Sequence, residues 1–425
     1  MKKNLAVKPF SGVRFSSDQS MCKLICPPYD VVDQHQYDIL ASYSSHNAIH
    51  LTLNDPKCMD AKKKREEEDY LQVKRFWDQW NKENILNVDP LEHFYLTKEF
   101  FHRDGQKYMR KVLYALVNID PDRGGPKIIP HEKVLELPIQ DRLRLLEVTK
   151  VQTSPIYLVF DDQKAELDDL LSSMGQSPLY ACDHPQVQSQ SYEFYSFSDD
   201  KSLSSISDVL SRGSFLVADG HHRLETTRRY FRKEENQHQT PYVFAAIVSS
   251  IDPGVLLSSI HRGLDVSYLS SSWFDDLHVA FDFKPMSKTW EAFEQSGALL
   301  AIDQKNREEL LGMYPKQKGL EHLPEIEQTV PSSVLNHIVF EDYFSLDLDR
   351  SEDQKKINYI NNIPDLQTFV DQKSSHVGFW LRPLLFDQIK AICSKGIILP
   401  QKSTFFYPKI MSGFVFHRME DSKDS

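Results

Sequence analysis

The run Ser214-Phe215-Leu216-Val217-Ala218 leads without a break into Asp219-Gly220-His221-His222-Arg223, and a helical pattern follows from Leu224 to Glu235. A short apolar run bounded by turn signals reads as a buried strand. Leu224, Thr227 and Phe231 then recur at spacings that place them on one side of a helix. A strand that turns straight into a helix through one glycine leaves the helix covering the sheet it came from. The chain is therefore expected to be α+β, with mixed sheets flanked by helices.

Other segments read the same way. Asp60 to Leu86 is expected to be a helix with Tyr70, Val73, Trp77 and Trp80 on its apolar face, and Lys62 to Asp69 is a solvated charged stretch at its start. Phe94–Phe101 and Lys107–Ile119 flank Asp104-Gly105, a tight-turn pair, and so form a hairpin. Asp141 opens a basic helix, and Ile156–Phe160, Val243–Val248 and His376–Leu381 read as strands. The serine-rich stretch from Gln186 to Ser205 reads as a surface connection or an edge strand. A strand pair is expected around Ser412-Gly413, and residues beyond Arg418 are expected to be disordered.

At 425 residues two or three packed units are expected. The composition loosens after Asp265, which suggests a core over residues 1–265 and a C-terminal lobe over 266–425 folding back on it. The formal net charge of −11 argues against a nucleic-acid surface. No stretch approaches the ~20 apolar residues of a membrane span. Cys22, Cys26, Cys58, Cys182 and Cys393 are scattered and form no zinc spacing, so free thiols in a cytoplasmic, reducing setting are expected.

Within the central loop each residue type has a chemical use. Gly220 lets the backbone turn and lets a ligand approach the main chain. The helix beginning behind it offers unpaired N–H groups and a partial positive charge that suit phosphate. Arg223 adds a planar charged fork, and His221 and His222 supply donors or acid and base groups near neutral pH. Asp219 can orient a histidine, hold magnesium, or simply cap the helix. Outside the loop, Asp30 follows Pro27-Pro28-Tyr29 on a stiff turn. His131-Glu132-Lys133 and Asp141-Arg142 gather five ionisable groups in a short span, and Lys402 and Lys409 flank an aromatic segment. Each of these also has a plain structural reading: a turn cap, a solvated helix approach, a charged sheet edge.

Taken in order, Pro9-Phe10-x-Gly12-x-Arg14, Pro27-Pro28-Tyr29-Asp30-Val31, His131-Glu132, Asp141-Arg142, Ala218 to Arg223, and Lys402 to Lys409 resemble the bacterial family called domain of unknown function 1015. The resemblance runs from about Pro9 to Arg418. Members commonly read Arg-His-Glu-x-Thr where this chain has Pro130-His131-Glu132-Lys133-Val134. The Asp-Gly-His-His-Arg loop is also similar to the phosphate-binding motif of the partition-protein-B and sulfiredoxin-like fold, which includes nucleotide-dependent kinases of free serine.

That likeness implies a nucleotide-dependent phosphotransferase on a small hydroxy metabolite, using ATP or ADP with Mg2+. Asp219, Gly220, His221, His222 and Arg223 would hold phosphates, with Arg142, Lys402 and Lys409 offsetting charge. Asp30 or Glu132 would serve as base, and His131 would join the catalytic set. A phosphatase using the same pocket, or a non-catalytic nucleotide sensor or partner-binding protein, is the alternative.

Overall fold

A computed structural model of the chain describes residues 5–16, 21–53, 65–103, 105–175, 177–184, 190–305, 307–348 and 350–419. The chain divides into two compact units. The first holds residues 1–130, 134–256 and 408–425, and the second holds 131–133 and 257–407. The division falls at Leu256 and Leu257, a little before the expected 265, because His261–Asp265 is a strand of the second unit's own sheet.

The first unit is organised on a nine-stranded mixed sheet. Its strands are β1 (Val7–Lys8), β2 (Phe94–Arg103), β3 (Gln106–Asn118), β4 (Lys127–Ile129), β5 (Ile156–Phe160), β6 (Tyr180–Asp183), β7 (Ser191–Phe197), β8 (Ser214–Asp219) and β9 (Tyr242–Ser249). The order is β4-β8-β5-β9-β3-β2-β7-β6, with β1 also on β3. The β4–β8 and β5–β9 pairs are parallel, and the other pairs are antiparallel. One face carries Leu96, Leu113, Ile156, Leu158, Phe215 and Val217, which join Leu224 in a continuous apolar core.

The expected hairpin is present, with Gly105 at φ +77° supplying the turn; Asp104 lies outside the described residues. The helix α1 (Glu67–Lys82) buries Tyr70, Val73, Trp77 and Trp80 as its spacing predicts. Burying such side chains contributes about 1.5–3 kcal/mol each. The early part of that expected helix, with Lys62 to Lys64, is outside the described residues. A second helix, α2 (Glu136–Thr149), starts before Asp141 because Pro138 is tolerated in a first turn.

Three expectations are corrected. The stretch 191–197 is no connection: β7 pairs on both edges, and Tyr192, Phe194, Tyr195 and Phe197 are buried. His417–Arg418 pairs with Val151–Gln152 and not with the aromatic segment near Lys402, since Ser412 bridges to Cys26 and directs the chain there. Cys22 and Cys182 form a disulfide, so the reading of every cysteine as a free thiol fails. Their separation of 160 residues hid the pair. Cys26 and Cys393 are free, and Cys58 is outside the described residues, as are those from Glu420 on.

The second unit has a six-stranded antiparallel sheet: β10 (His261–Asp265), β11 (Phe281–Ser287), β12 (Leu300–Gln304), β13 (Glu309–Pro315), β14 (Ile357–Ile360) and β15 (His376–Leu381). Their order is β11-β13-β12-β15-β10-β14. Leu264, Leu300, Ile302, Met313, Phe340 and Phe379 form its core. No helix among the described residues is long and apolar enough to cross a membrane.

Candidate functional site

The strand β8 ends on Asp219, and the helix α3 (His221–Arg232) begins two residues later. The helix thus starts ahead of Leu224, where the periodic pattern that announced it begins. Gly220, the residue between, sits at φ +91° and ψ 28°, the left-handed region that other residues rarely adopt. A Cβ there would also meet Ile156 Cγ2 at 3.0 Å and an Arg223 nitrogen at 3.1 Å. Leu224 donates its N–H to the Gly220 carbonyl at 2.9 Å, the first bond of the helix. Glycine offers no side chain to cap the N–H groups of the first turn.

Asp219 is buried at the centre of a charge cluster. One carboxylate oxygen accepts from Lys409 Nζ, the other from an Arg223 guanidinium nitrogen. Burial alone would raise its pKa, but Lys409, Arg223 and His221 hold the carboxyl well below the usual range. Arg223 also donates to the Pro155 carbonyl. Its side chain is only 12% exposed and holds protein groups, whereas a fork facing solvent or ligand was expected. Lys409 likewise is not a free edge lysine but an ion-pair partner of Asp219. His222 Nε2 accepts the Leu135 backbone N–H at 3.0 Å, which leaves the ring proton on Nδ1 in the neutral form. His221 is buried at the start of the helix.

Asp30 is exposed on the single turn Tyr29–Val31. Tyr29 itself is buried under the Arg142 guanidinium, 4.1 Å above its ring. Burial pushes the Tyr29 hydroxyl up to about 12 while Arg142 opposes it, and the charges of Asp30 and Arg223 also reach it. Arg142 thus packs on the residue next to Asp30. Arg142 is already committed there: it donates to the Thr52 carbonyl at 2.7 Å and pairs with Asp141, which also accepts from Tyr70 at 2.9 Å.

His131, Glu132 and Lys402 belong to the second unit. There, His131 Nε2 lies 2.7 Å from Thr404 Oγ1, and Thr404 donates to Glu132 at 3.4 Å. Lys402 is exposed at φ +58°. Two separated motifs thus meet, one supplying His131 and Glu132 and the other Thr404.

Asp219 does not fit magnesium in this arrangement, since both its oxygens are taken by cations. Among the described residues, no group of three or more His, Cys, Asp or Glu is placed to hold a metal. Two clefts are formed elsewhere. One of about 540 Å3 is lined by Phe160 to Lys164, Glu166, Val209 and Arg212 to Ser214; another of about 360 Å3 includes Ser267, Ser270, Trp273, Lys305 and Ser375. Neither includes a residue of the loop from Asp219 to Arg223.

Three buried arginines escaped the sequence reading: Arg65, expected in a solvated stretch but buried against Asp141, and Arg110 and Arg262. Arg110, fully buried, is paired with Glu99 and donates to the Pro408 carbonyl at 2.7 Å, which fixes the residue beside Lys409. The hairpin places Glu99 directly opposite Arg110, so pairing residues outward from Gly105 would have revealed them. Arg262, on β10, had no comparable signal.

The chain belongs to the family described as protein of unknown function DUF1015, whose model matches residues 7–340. No curated protein sequence matches it. Among solved structures it is similar to C-terminally truncated SbnI from Staphylococcus aureus, at 13% identity over 71% of this chain and 86% of that one, with TM-score 0.37. A free serine kinase variant in complex with ADP gives 13% identity over 66% and 84%, also with TM-score 0.37. A conserved hypothetical protein from Pyrococcus furiosus gives 14% identity over 69% and 92%, with TM-score 0.36.

Proposed function

We propose that this member of the DUF1015 family is a nucleotide-dependent phosphotransferase acting on a small hydroxy metabolite. The observation that carries the reading is the turn from β8 through Gly220 into α3, where a helix N-terminus with no side-chain cap from Gly220 stands beside the cations Lys409 and Arg223. Such a combination of helix N-terminus and fixed positive charge suits a phosphate. The His221, His222 and Arg223 amides hold the phosphate oxygens, with Lys409 offsetting their charge.

In the reaction the substrate hydroxyl oxygen bonds to the terminal phosphorus as the bridging P–O bond breaks. The hydroxyl proton passes to a carboxylate, and the nucleotide leaves one phosphate shorter. Asp30, exposed beside the Tyr29 that carries the Arg142 guanidinium, takes that role. Arg142 steadies the Tyr29 turn that carries Asp30.

A second reading is favoured by one observation. Asp219, Arg223 and Lys409 already satisfy one another, as expected of a latch that a bound nucleotide opens in a non-catalytic sensor. The test is to incubate the full chain with magnesium, ATP or ADP, and free serine or related hydroxy compounds, and to look for a phosphorylated product. Product that disappears in Asp30→Asn supports the transferase. Tight nucleotide binding without any product supports the sensor, and the absence of both refutes the two readings.

A further inference from the structure

Arg262 is 1% exposed, and no carboxylate among the described residues lies within ion-pair distance of it. One terminal nitrogen donates to the Ile260 carbonyl at 2.5 Å, the other to the Lys402 carbonyl at 2.9 Å. The Tyr359 ring lies 4.5 Å from the guanidinium. Nε is buried without a hydrogen-bond partner. A buried guanidinium normally has an anion beside it, because leaving water is costly for an unpaired charge. Arg110 meets that rule with Glu99, and Arg142 meets it with Asp141.

The segment that Arg262 holds by the Lys402 carbonyl carries, two residues on, Thr404, which donates to Glu132, and no ion pair among the described residues joins Arg262 to Glu132. Burial pulls the Arg262 guanidinium down to about 10, with Tyr359 and Glu132 only partly opposing it. Glu132 remains 18% exposed; Thr404 donates to it at 3.4 Å and His131 Nε2 stands 3.8 Å away. Thr404 is itself held by His131. The second unit thus presents a fixed cation and a fixed anion that influence each other and do not pair.

We propose that Arg262 and Glu132 form a seat for a zwitterionic α-amino acid, with the carboxylate on Arg262 and the ammonium on Glu132. An α-amino acid carries opposite charges one carbon apart, which is the complement of a held-apart arginine and glutamate. A lone phosphate or carboxylate would satisfy Arg262 but bring a like charge against Glu132, and a simple amine would leave Arg262 unanswered. The carboxylate takes the place of the Lys402 carbonyl on the guanidinium, so the exposed Lys402 turn lifts as the ligand enters. The His131–Thr404 bond fixes the hydroxyl beside Glu132 and keeps that carboxylate from swinging onto Arg262. The seat uses the second unit's residues alone and does not depend on the phosphotransfer reading.

The experiment is calorimetric titration of the full chain, without nucleotide, with the standard L-α-amino acids. The best binder is then compared with its deaminated and its decarboxylated analogues, and with inorganic phosphate. At least one amino acid is expected to bind, and each truncated analogue is expected to bind at least roughly tenfold more weakly. Arg262→Lys, Arg262→Gln and Glu132→Gln should each weaken the amino acid by about tenfold to a hundredfold. Glu132→Gln should leave the melting temperature unchanged, so it keeps the test valid if the arginine variants unfold. Binding of no amino acid, phosphate binding in preference to all of them, or affinity untouched by Glu132→Gln overturns the proposal. If the bound amino acid yields no phosphorylated product once ATP or ADP and magnesium are added, the transferase reading fails while this seat stands.

Discussion

The charges around Asp219 and those around Arg262 are held by opposite rules. In the first unit, one buried carboxylate is shared by two cations, and Arg223 reaches on to a backbone carbonyl. In the second, a more deeply buried cation is left with carbonyls and an aromatic face. The first arrangement stabilises the fold, because each charge left water for a partner. The second is a charge that the fold keeps without compensation, and such a charge marks a place where something else is meant to bind. Burial alone separates neither case; the presence of a counter-charge does.

The largest expected effect tests the paired side. Asp219→Asn leaves Lys409 and Arg223 facing each other with no anion between them, and both side chains are less than a fifth exposed. Unfolding in urea should show a loss of about 3–5 kcal/mol. A loss below about 1 kcal/mol would mean that the cluster is solvated and that the contrast between the units is false.

Next in size is the disulfide. Cys182→Ser, or reduction of the wild type, should lower stability by about 2–5 kcal/mol, because the Cys22–Cys182 link restrains the unfolded chain across a long loop. Free thiols in the protein isolated without reductant, together with an unchanged melting temperature, would restore the free-thiol reading.

A smaller effect separates the groups by pH. Burial holds His417 down to about 3, aided by Lys8, from an ordinary value of 6.5. A depressed folded-state pKa gives stability that is present above 6.5 and is lost as pH falls towards about 3. Between pH 7 and 5 wild type should lose about 1–2 kcal/mol, discounted for a side chain that is half-buried, and His417→Asn should flatten that slope. The Asp219 contribution follows the same sign but fades only in acid, below the ordinary carboxylate range. A variant slope equal to that of wild type would show that His417 is hydrated.

The smallest effect is expected where the charge is unpaired. Arg262→Gln strands no counter-ion and removes a costly buried charge, so its stability change should stay within about 1.5 kcal/mol of wild type. A loss as large as that of Asp219→Asn would make Arg262 a structural clamp on the Lys402 carbonyl.

Much of this fold was legible because periodicity and turn chemistry agree. The four aromatic and aliphatic positions of α1, the Gly105 hairpin and the passage from β8 into α3 each follow from local residue types. The chemistry types at the loop were legible too, but not their commitments. Nothing local says that Lys409 closes on Asp219 from 190 residues away, or that Cys22 finds Cys182. The strand at 191–197 was obscured by its serines and by the glutamines just before it, although Tyr192 with Phe194, and Tyr195 with Phe197, alternate as buried strand positions within it. Arg262 was invisible because its importance lies in a missing partner, and a sequence does not display what fails to pair.

The most direct test of the central claim is amide NMR of the full-length, deuterated protein titrated with ADP and with ATP. If the loop between β8 and α3 is the phosphate site, the largest shifts fall on the backbone N–H signals of Gly220, His221, His222 and Arg223, and Gly220→Val abolishes them. Saturable nucleotide binding whose shifts instead centre on the cleft at Asp161 to Glu166, or no binding at millimolar nucleotide, would contradict it.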